Sequence, residues 1–124
     1  MNELWHFLKN LTETDAHGIS AETRLETGSL WFDGHFPGSP ILPGIAQIAI
    51  VSDVLKEHAK RNSRDIAISG ISRVRFRQFV RPGDTLQVTV TPDKHDPSVY
   101  KFRVLCNGQI ACNGLMATAP RTRS

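Results

Sequence analysis

The sequence contains few cysteines: Cys106 and Cys112 are the only two. Asn107-Gly108 lies between them, and this dipeptide between apolar segments is a strong signal for a two-residue β-hairpin turn. Such a turn places Cys106 opposite Gln109 and Cys112 opposite Arg103, so the two thiols are out of register for a disulfide bond. We therefore expect both cysteines to be reduced core residues.

Long apolar runs are also missing. No stretch reaches the roughly 20 residues that a membrane-spanning helix needs, and the opening residues lack the basic-then-apolar layout of a secretory signal. With 124 residues, 40% of them apolar and 22% charged, the chain has the composition of a single globular domain over residues 1–124. We expect no membrane span and a cytoplasmic location.

Signals for binding of metals, nucleotides and nucleic acids are absent as well. The net charge of +3 suits an acidic partner, but the basic residues are dispersed along the sequence without a zinc-finger or RNA-binding signature. There is no phosphate-loop motif and no nucleophile elbow. Four histidines show no metal-ligand spacing: His6, His17, His58 and His95. We expect no metal and no nucleic acid partner.

Two periodic patterns occupy the first third of the chain. Leu4, Phe7, Leu8 and Leu11 recur at helical spacing, which predicts an N-terminal amphipathic helix. From Ile19 to Phe32, apolar and polar residues alternate around Gly28, which predicts one or two strands with a break.

A buried helix is predicted next, starting at about Pro43, because proline is well tolerated in the first turn of a helix. Residues 45–51 (IAQIAIV) contain only one polar side chain, Gln47. A helix that is apolar on nearly all sides is usually buried.

The second half of the sequence reads as antiparallel strands. Alternating segments occur at residues 73–77, 85–91 and 100–104, and Pro82-Gly83 and Asn107-Gly108 mark tight turns between them. A last strand extends to about Ala119. One buried helix followed by several strands predicts an α+β fold with the sheet curled around the helix.

The segment before the helix, GHFPGSPILPG from Gly34 to Gly44, is dense in residues that break regular structure. Together with the helix, it resembles the active-site segment of the β-hydroxyacyl-acyl-carrier-protein dehydratases (FabZ and FabA type), which have the hot-dog fold. RFRQFVRPGDTLQVTV resembles that family's strand–Pro-Gly-Asp–strand segment, and FRVLCNGQIACNGLMATA its closing hairpin. The resemblance covers about residues 19–119.

This resemblance implies an assembly and a substrate. In that family, the sheets of two subunits join edge to edge in a homodimer or a larger oligomer of dimers, and each active site lies at the interface, with the histidine from one chain and a helix residue from the other. The substrate is a 3-hydroxyacyl chain on the phosphopantetheine of an acyl carrier protein, and it loses water to give the trans-2-enoyl thioester. The reaction needs no further cofactor.

The resemblance also assigns roles to residues of the motif. His35 matches the family's catalytic histidine, and a neutral imidazole is a suitable base near pH 7. Gly44 matches the glycine whose backbone N–H polarises the thioester carbonyl, where the helix dipole favours negative charge. Substrate contacts are expected from four further residues: Phe36, Pro43, Ala46 and Ala49.

One position departs from the family pattern. The family's catalytic Glu or Asp falls fourteen residues after His35, and that position is Ala49, which cannot donate a proton. Asp53 lies one helical turn further on and on nearly the same face. It is either a relocated acid that acts through water or a polar residue where the helix leaves the core.

A row of arginines has two interpretations. Arg73, Arg75 and Arg77 share one face of a predicted strand, and Arg81 follows. They form an ordinary solvated face or a dock for the acidic carrier protein and its phosphate, for which guanidinium groups are well suited.

Three functions remain open from the sequence. The first is dehydration, or the reverse hydration, of 3-hydroxyacyl thioesters. The second is a non-catalytic hot-dog module that binds an acyl carrier or pairs with an active subunit, as Ala49 would allow. The third is a thioesterase, since hot-dog folds also host thioester hydrolysis and fold alone does not decide between them.

Overall fold

The computed structural model describes residues 6–14, 17–25, 44–81 and 83–121. Within these residues, six strands and one helix follow one another along the chain: β1 (His6–Glu13), β2 (Ile19–Leu25), α1 (Gly44–Arg61), β3 (Ile66–Phe76), β4 (Thr85–Pro92), β5 (Val99–Cys106) and β6 (Gln109–Pro120). All paired strands are antiparallel, and their order across the sheet is β1-β2-β4-β5-β6-β3. The predicted α+β fold class is confirmed.

The core lies between α1 and the inner face of the sheet. On the helix, Ile50, Val51 and Val54 have no solvent exposure. On β4, Leu86 and Val88 are equally buried, while the residues between them are exposed. This period of two is what a strand with one buried face requires, so the alternation read from the sequence marks the inner face of β4.

The long helix begins at Gly44 and ends at Arg61, so the predicted start at about Pro43 is confirmed to within one residue. Its buried character is confirmed for most of residues 45–51, with two differences: Ile45 is exposed and Ala49 is half-buried. The polar Gln47 is buried with its apolar neighbours. No helix in the described residues is long and apolar enough to cross a membrane.

The predicted N-terminal helix is wrong, because residues 6–13 form strand β1. The pairing of β1 with β2 shifts between Lys9 and Thr12, where β1 carries one extra residue. Such a bulge brings residues three apart to the same face of a strand. Leu8 and Leu11 both pack against the core for this reason, and the resulting spacing imitates that of a helix.

The predicted hairpin at Asn107 and Gly108 is confirmed, but its register is only partly as expected. Cys106 lies opposite Gln109, as predicted, whereas Cys112 lies opposite Val104 and not Arg103. The pairing shifts because β6 carries an extra residue between Ile110 and Cys112. Both cysteines are buried free thiols, as predicted.

Two further predicted features are only partly described. The strand from Ile19 is confirmed as β2, but Gly28, Leu30 and Phe32 lie outside the described residues. At the turn before β4, the Asp84 N–H donates a hydrogen bond to the Arg81 carbonyl, which confirms a tight turn there. Gly83 has a φ of 88°, a conformation that glycine adopts without strain.

Candidate active site

The site is built around the first turn of α1. Gly44 is the first residue of the helix, and the first N–H groups of a helix have no partner within it. No acidic residue occupies the first turn, so no side-chain carboxylate of that turn offsets the partial positive charge at this end. The helix start can therefore stabilise negative charge on a bound oxygen atom.

Packing also favours glycine at position 44. A Cβ atom added to Gly44 would lie 2.7 Å from Cζ of the Phe76 ring, which is too close unless the ring moves. Phe76 ends β3, and its side chain is still 54% exposed. The end of β3 and the start of α1 are thus in direct contact.

Position 49 and Asp53 lie on the least buried face of the helix. Ala49 and Asp53 are both half-buried, and Ile45 and Lys56 on the same face are exposed. Four residues of helix correspond to about 6 Å along its axis, so the Asp53 carboxylate is one turn from position 49, where the sequence resemblance predicts the acid. The structure leaves this face accessible, which a carboxylate that acts on a substrate needs.

Ala46 and Gln47 lie deeper in the structure. Ala46 has no solvent exposure, so it does not contribute to the accessible part of the helix face. Gln47 is only 2% exposed, and its Oε1 atom accepts no hydrogen bond. An unpaired buried oxygen of this kind costs about 1–3 kcal/mol. Nothing in the described part of the chain explains why glutamine occupies this position.

Three of the predicted site residues lie outside the described residues: His35, Phe36 and Pro43. The structure therefore brings together Gly44, Ala49 and Asp53 on one helix, and the histidine remains a prediction from the motif. In the described residues, no three His, Cys, Asp or Glu side chains are grouped so that they could hold a metal ion.

The arginines of β3 lie on the outer face of the sheet. Arg73 and Arg75 line one open groove. Arg77 donates from Nε to Oδ1 of Asn113 at 3.1 Å, and Asn113 lines the same groove. Arg81 does not line it, and its backbone N–H donates instead to the Asp84 carboxylate.

The sequence reasoning missed two residues of this groove, Lys101 and Arg103 on β5. Their signal was present, because they alternate with the buried residues Tyr100, Phe102 and Val104. That alternation places them on the face opposite the core. Only the order of the strands shows that β5 lies near β3, with β6 between them.

Three titratable groups in the described residues are shifted mainly by burial. Burial lowers the pKa of His58 below 6.5, the Arg64 charge lowers it further, and Glu13 acts in the opposite direction. Burial raises the pKa of Cys106 to about 11, with Asp84 adding to the effect, and burial alone raises that of Cys112 to about 11. Thiols of this kind are poor nucleophiles at neutral pH.

Comparison with known proteins identifies the family. The sequence pattern of the ApeI-like family, described as ApeI dehydratase, matches residues 11–115. The chain belongs to the ApeI-like dehydratases. The match includes the motif around His35, the whole of α1 and most of the sheet.

Individual relatives agree with this assignment. The 3-hydroxyacyl-acyl-carrier-protein dehydratase FabZ of Oenococcus oeni is 31% identical over 101 residues, which cover 77% of this chain and 73% of that protein. The FabZ of Idiomarina loihiensis is 32% identical over 99 residues, which cover 73% of this chain and 66% of that protein. The resemblance to the FabZ-type dehydratases that the sequence motifs indicate is confirmed.

A solved structure gives the same result for the fold. The dehydratase heterocomplex ApeI:P from Xenorhabdus doucetiae contains a chain that superimposes with a TM-score of 0.77 at 27% identity, covering 94% of this chain and 98% of that one. The predicted hot-dog fold is confirmed. This ApeI-like chain is a 3-hydroxyacyl-thioester dehydratase-like protein, and its relatives are hydro-lyases.

Proposed function

We propose that this protein removes water from 3-hydroxyacyl chains carried on the phosphopantetheine of an acyl carrier protein, in fatty-acid or related acyl-chain biosynthesis. One observation carries the proposal: in a member of a dehydratase family, α1 begins at Gly44, the last residue of the GHFPGSPILPG motif, and presents the half-buried Asp53 one turn beyond position 49. The phosphopantetheine-borne substrate requires no separate cofactor.

Three groups of the protein carry out the steps of this reaction. His35 takes the proton from the carbon next to the thioester carbonyl, as a general base. The backbone N–H of Gly44 donates a hydrogen bond to the carbonyl oxygen as negative charge develops there. Asp53 of the second subunit, through a water molecule, gives a proton to the departing hydroxyl group, so that the C–O bond breaks and water leaves. Phe36, Pro43 and Ala49 would border the acyl chain, with Ala46 packed behind them.

We also propose that two copies assemble through the free edge of β3. In the described sheet, β3 has one neighbouring strand, β6, and it is 11 residues long. Large apolar side chains are exposed on β3 and on the segments next to it. They are 47–66% exposed and belong to Ile71 and Phe76 of β3, to Phe79, and to Ile45 at the start of α1. Long apolar edges normally acquire a partner strand, and an edge-to-edge homodimer provides one.

The carrier-binding residues and the location remain parts of the proposal. Arg73, Arg75 and Arg77 share a positively charged face that suits an acidic carrier, while Arg81 lies at the turn before β4. The cytoplasmic location predicted from the sequence stays a prediction.

A non-catalytic role is the second candidate, and Ala49 favours it. A chain without the family's acid could serve as the inactive half of a pair with a different hot-dog subunit. The ApeI:P structure from Xenorhabdus doucetiae is a dehydratase heterocomplex, so a similar protein assembles with a different component. Thioester hydrolysis stays an alternative on the same fold.

Incubation with 3-hydroxyacyl and trans-2-enoyl carrier thioesters distinguishes these functions. We expect interconversion of the two thioesters, whereas release of free carrier thiol would indicate a thioesterase and binding without turnover a non-catalytic module. His35→Ala should lower turnover by about 10²–10⁴-fold, because it removes the base. His95→Ala, a change to an exposed histidine outside the motif, is the control. Unchanged turnover of His35→Ala would contradict the assigned role.

A further inference from the structure

The outer face of the sheet carries a concentration of positive charge. Arg73 and Arg75 of β3 and Lys101 and Arg103 of β5 line one open groove with a volume of about 1140 Å³. All four side chains are exposed. Asp93 is the single acid among the described residues that line this groove. We call this feature the outer groove.

The outer groove accounts for the net charge of the whole protein. The chain has 15 Lys and Arg against 12 Asp and Glu, which gives +3. Without the four basic residues of the outer groove and Asp93, 11 basic and 11 acidic residues remain. The rest of the chain therefore has no formal net charge, and the +3 equals the charge of the residues that line the outer groove.

The register of the strands holds these like charges close together. Arg75 and Arg103 lie on either side of Asn113, which pairs with both across the sheet. In the described residues, no acidic side chain lies within ion-pair distance of the four cations. Neither Arg75 nor Arg103 has a carboxylate counter-ion among the described residues, and an anionic partner would supply one.

We infer that the outer groove docks the acidic acyl carrier protein, an inference that rests on the proposed function. Neighbouring strands are about 4.8 Å apart, so β3 and β5, with β6 between them, spread the cations over about 10 Å. That spacing suits a protein surface with several carboxylates better than a single phosphate group. Arg75 also directly precedes Phe76, whose ring contacts Gly44, so one end of the outer groove and the start of α1 meet at the end of β3, on opposite faces of the sheet.

The test measures binding of a purified acyl carrier protein that bears phosphopantetheine but no acyl chain. Without an acyl chain no turnover occurs, so the result is independent of whether the protein is a dehydratase. The double variant Lys101→Gln/Arg103→Gln should bind about tenfold more weakly or worse, because complementary charge accelerates association. The control, Arg24→Gln/Lys60→Gln, removes the same charge from exposed positions outside the outer groove and should bind like the wild type.

Three results would overturn the inference. One is equal weakening in both double variants, because that would reflect net charge alone. Another is wild-type binding by Lys101→Gln/Arg103→Gln. The third is equally tight binding of a random DNA duplex with the same dependence on the two variants, since the outer groove would then accept any polyanion. If the wild type shows no dehydratase activity but still binds the carrier through the outer groove, only the proposed reaction is contradicted.

Discussion

Ala49 occupies the position, fourteen residues after His35, where the resemblance to the FabZ-type dehydratases predicts a carboxylate. The methyl group neither donates a proton nor orients a water molecule. Asp53 is the carboxylate on the same accessible helix face, one turn further along. The chemistry of the site therefore depends on whether a proton can be delivered from that distance through water.

A pair of variants decides this question. If Asp53 is the acid, Asp53→Asn should abolish most dehydration and leave substrate affinity nearly intact, because the amide keeps the shape but cannot supply the proton. Steady-state kinetics on a 3-hydroxyacyl carrier thioester separates the two effects. Full activity of Asp53→Asn would rule out the relocated acid.

The second variant of the pair is Ala49→Glu. If the chain has lost its acid altogether, the wild type should be nearly inert and Ala49→Glu should create or raise activity. The longer side chain has to fit a half-buried position, and overpacking costs about 1–3 kcal/mol. The urea midpoint of Ala49→Glu therefore has to be measured alongside its turnover.

His58 gives the protein a predictable sensitivity to acid. Burial and the Arg64 charge lower its pKa in the folded state below the unfolded value of 6.5. Below about pH 6.5 the unfolded chain therefore binds a proton that the folded chain resists, and stability falls until the folded pKa is reached. Well above pH 6.5, His58 is neutral in both the folded and the unfolded state, so it does not make the free energy of unfolding depend on pH.

Urea unfolding at several pH values tests this prediction. The free energy of unfolding should decrease between about pH 7 and about pH 5, and His58→Gln should remove part of the decrease. His17→Gln, a change at an exposed position, is the control. An unchanged slope in His58→Gln would show that other groups dominate the acid response.

Strand β3 is the element that connects the site to the assembly. Its end packs on the first turn of α1 through Phe76 and Gly44, and its free edge exposes apolar side chains such as Ile71. Its pairing with β6 is interrupted twice, between Ile68 and Gly70 and between Ser72 and Arg75. The second interruption places Arg73 at a φ of 54°, a value that non-glycine residues rarely adopt.

A charge on this edge should weaken the proposed dimer. Ile71→Lys places an ammonium group where the two β3 strands would meet, and charged edges resist strand pairing. We expect light scattering to give a mass of twice 13.8 kDa for the wild type and a shift toward the monomer for Ile71→Lys. Thr85→Lys, a change at an exposed residue of β4, should stay dimeric. A wild-type mass near that of one chain would contradict the dimer.

Local sequence patterns were sufficient to predict some of the helices and strands but not others. The start of α1 and strands β2, β4 and β5 were predictable, because proline, glycine and a period of two leave local signals. β1 was not, because its bulge places Leu8 and Leu11 on one face. A bulge in β6 likewise moved the pairing partner of Cys112 from the predicted Arg103 to Val104. A bulge is set by pairing with another strand, which a local pattern does not contain.

At the scale of the molecule, the clustering of positive charge in one groove could not be predicted from the sequence. Arg73 and Arg103 are 30 residues apart in the chain, yet they line the same groove because β6 lies between β3 and β5. The residues of the candidate active site, in contrast, could be proposed from the sequence. The residues from His35 to Asp53 are nearly contiguous, so the motif alone was enough to propose them.

The most direct test of the account uses isotopically labelled water. The purified protein is incubated with a trans-2-enoyl carrier thioester in water enriched in oxygen-18, and the acyl group is analysed by mass spectrometry. We expect the wild type to form a 3-hydroxyacyl thioester that carries the labelled oxygen at C3, and His35→Ala to form little of it. An enoyl thioester that stays unlabelled and intact, or a labelled free acid released from the carrier, would contradict it.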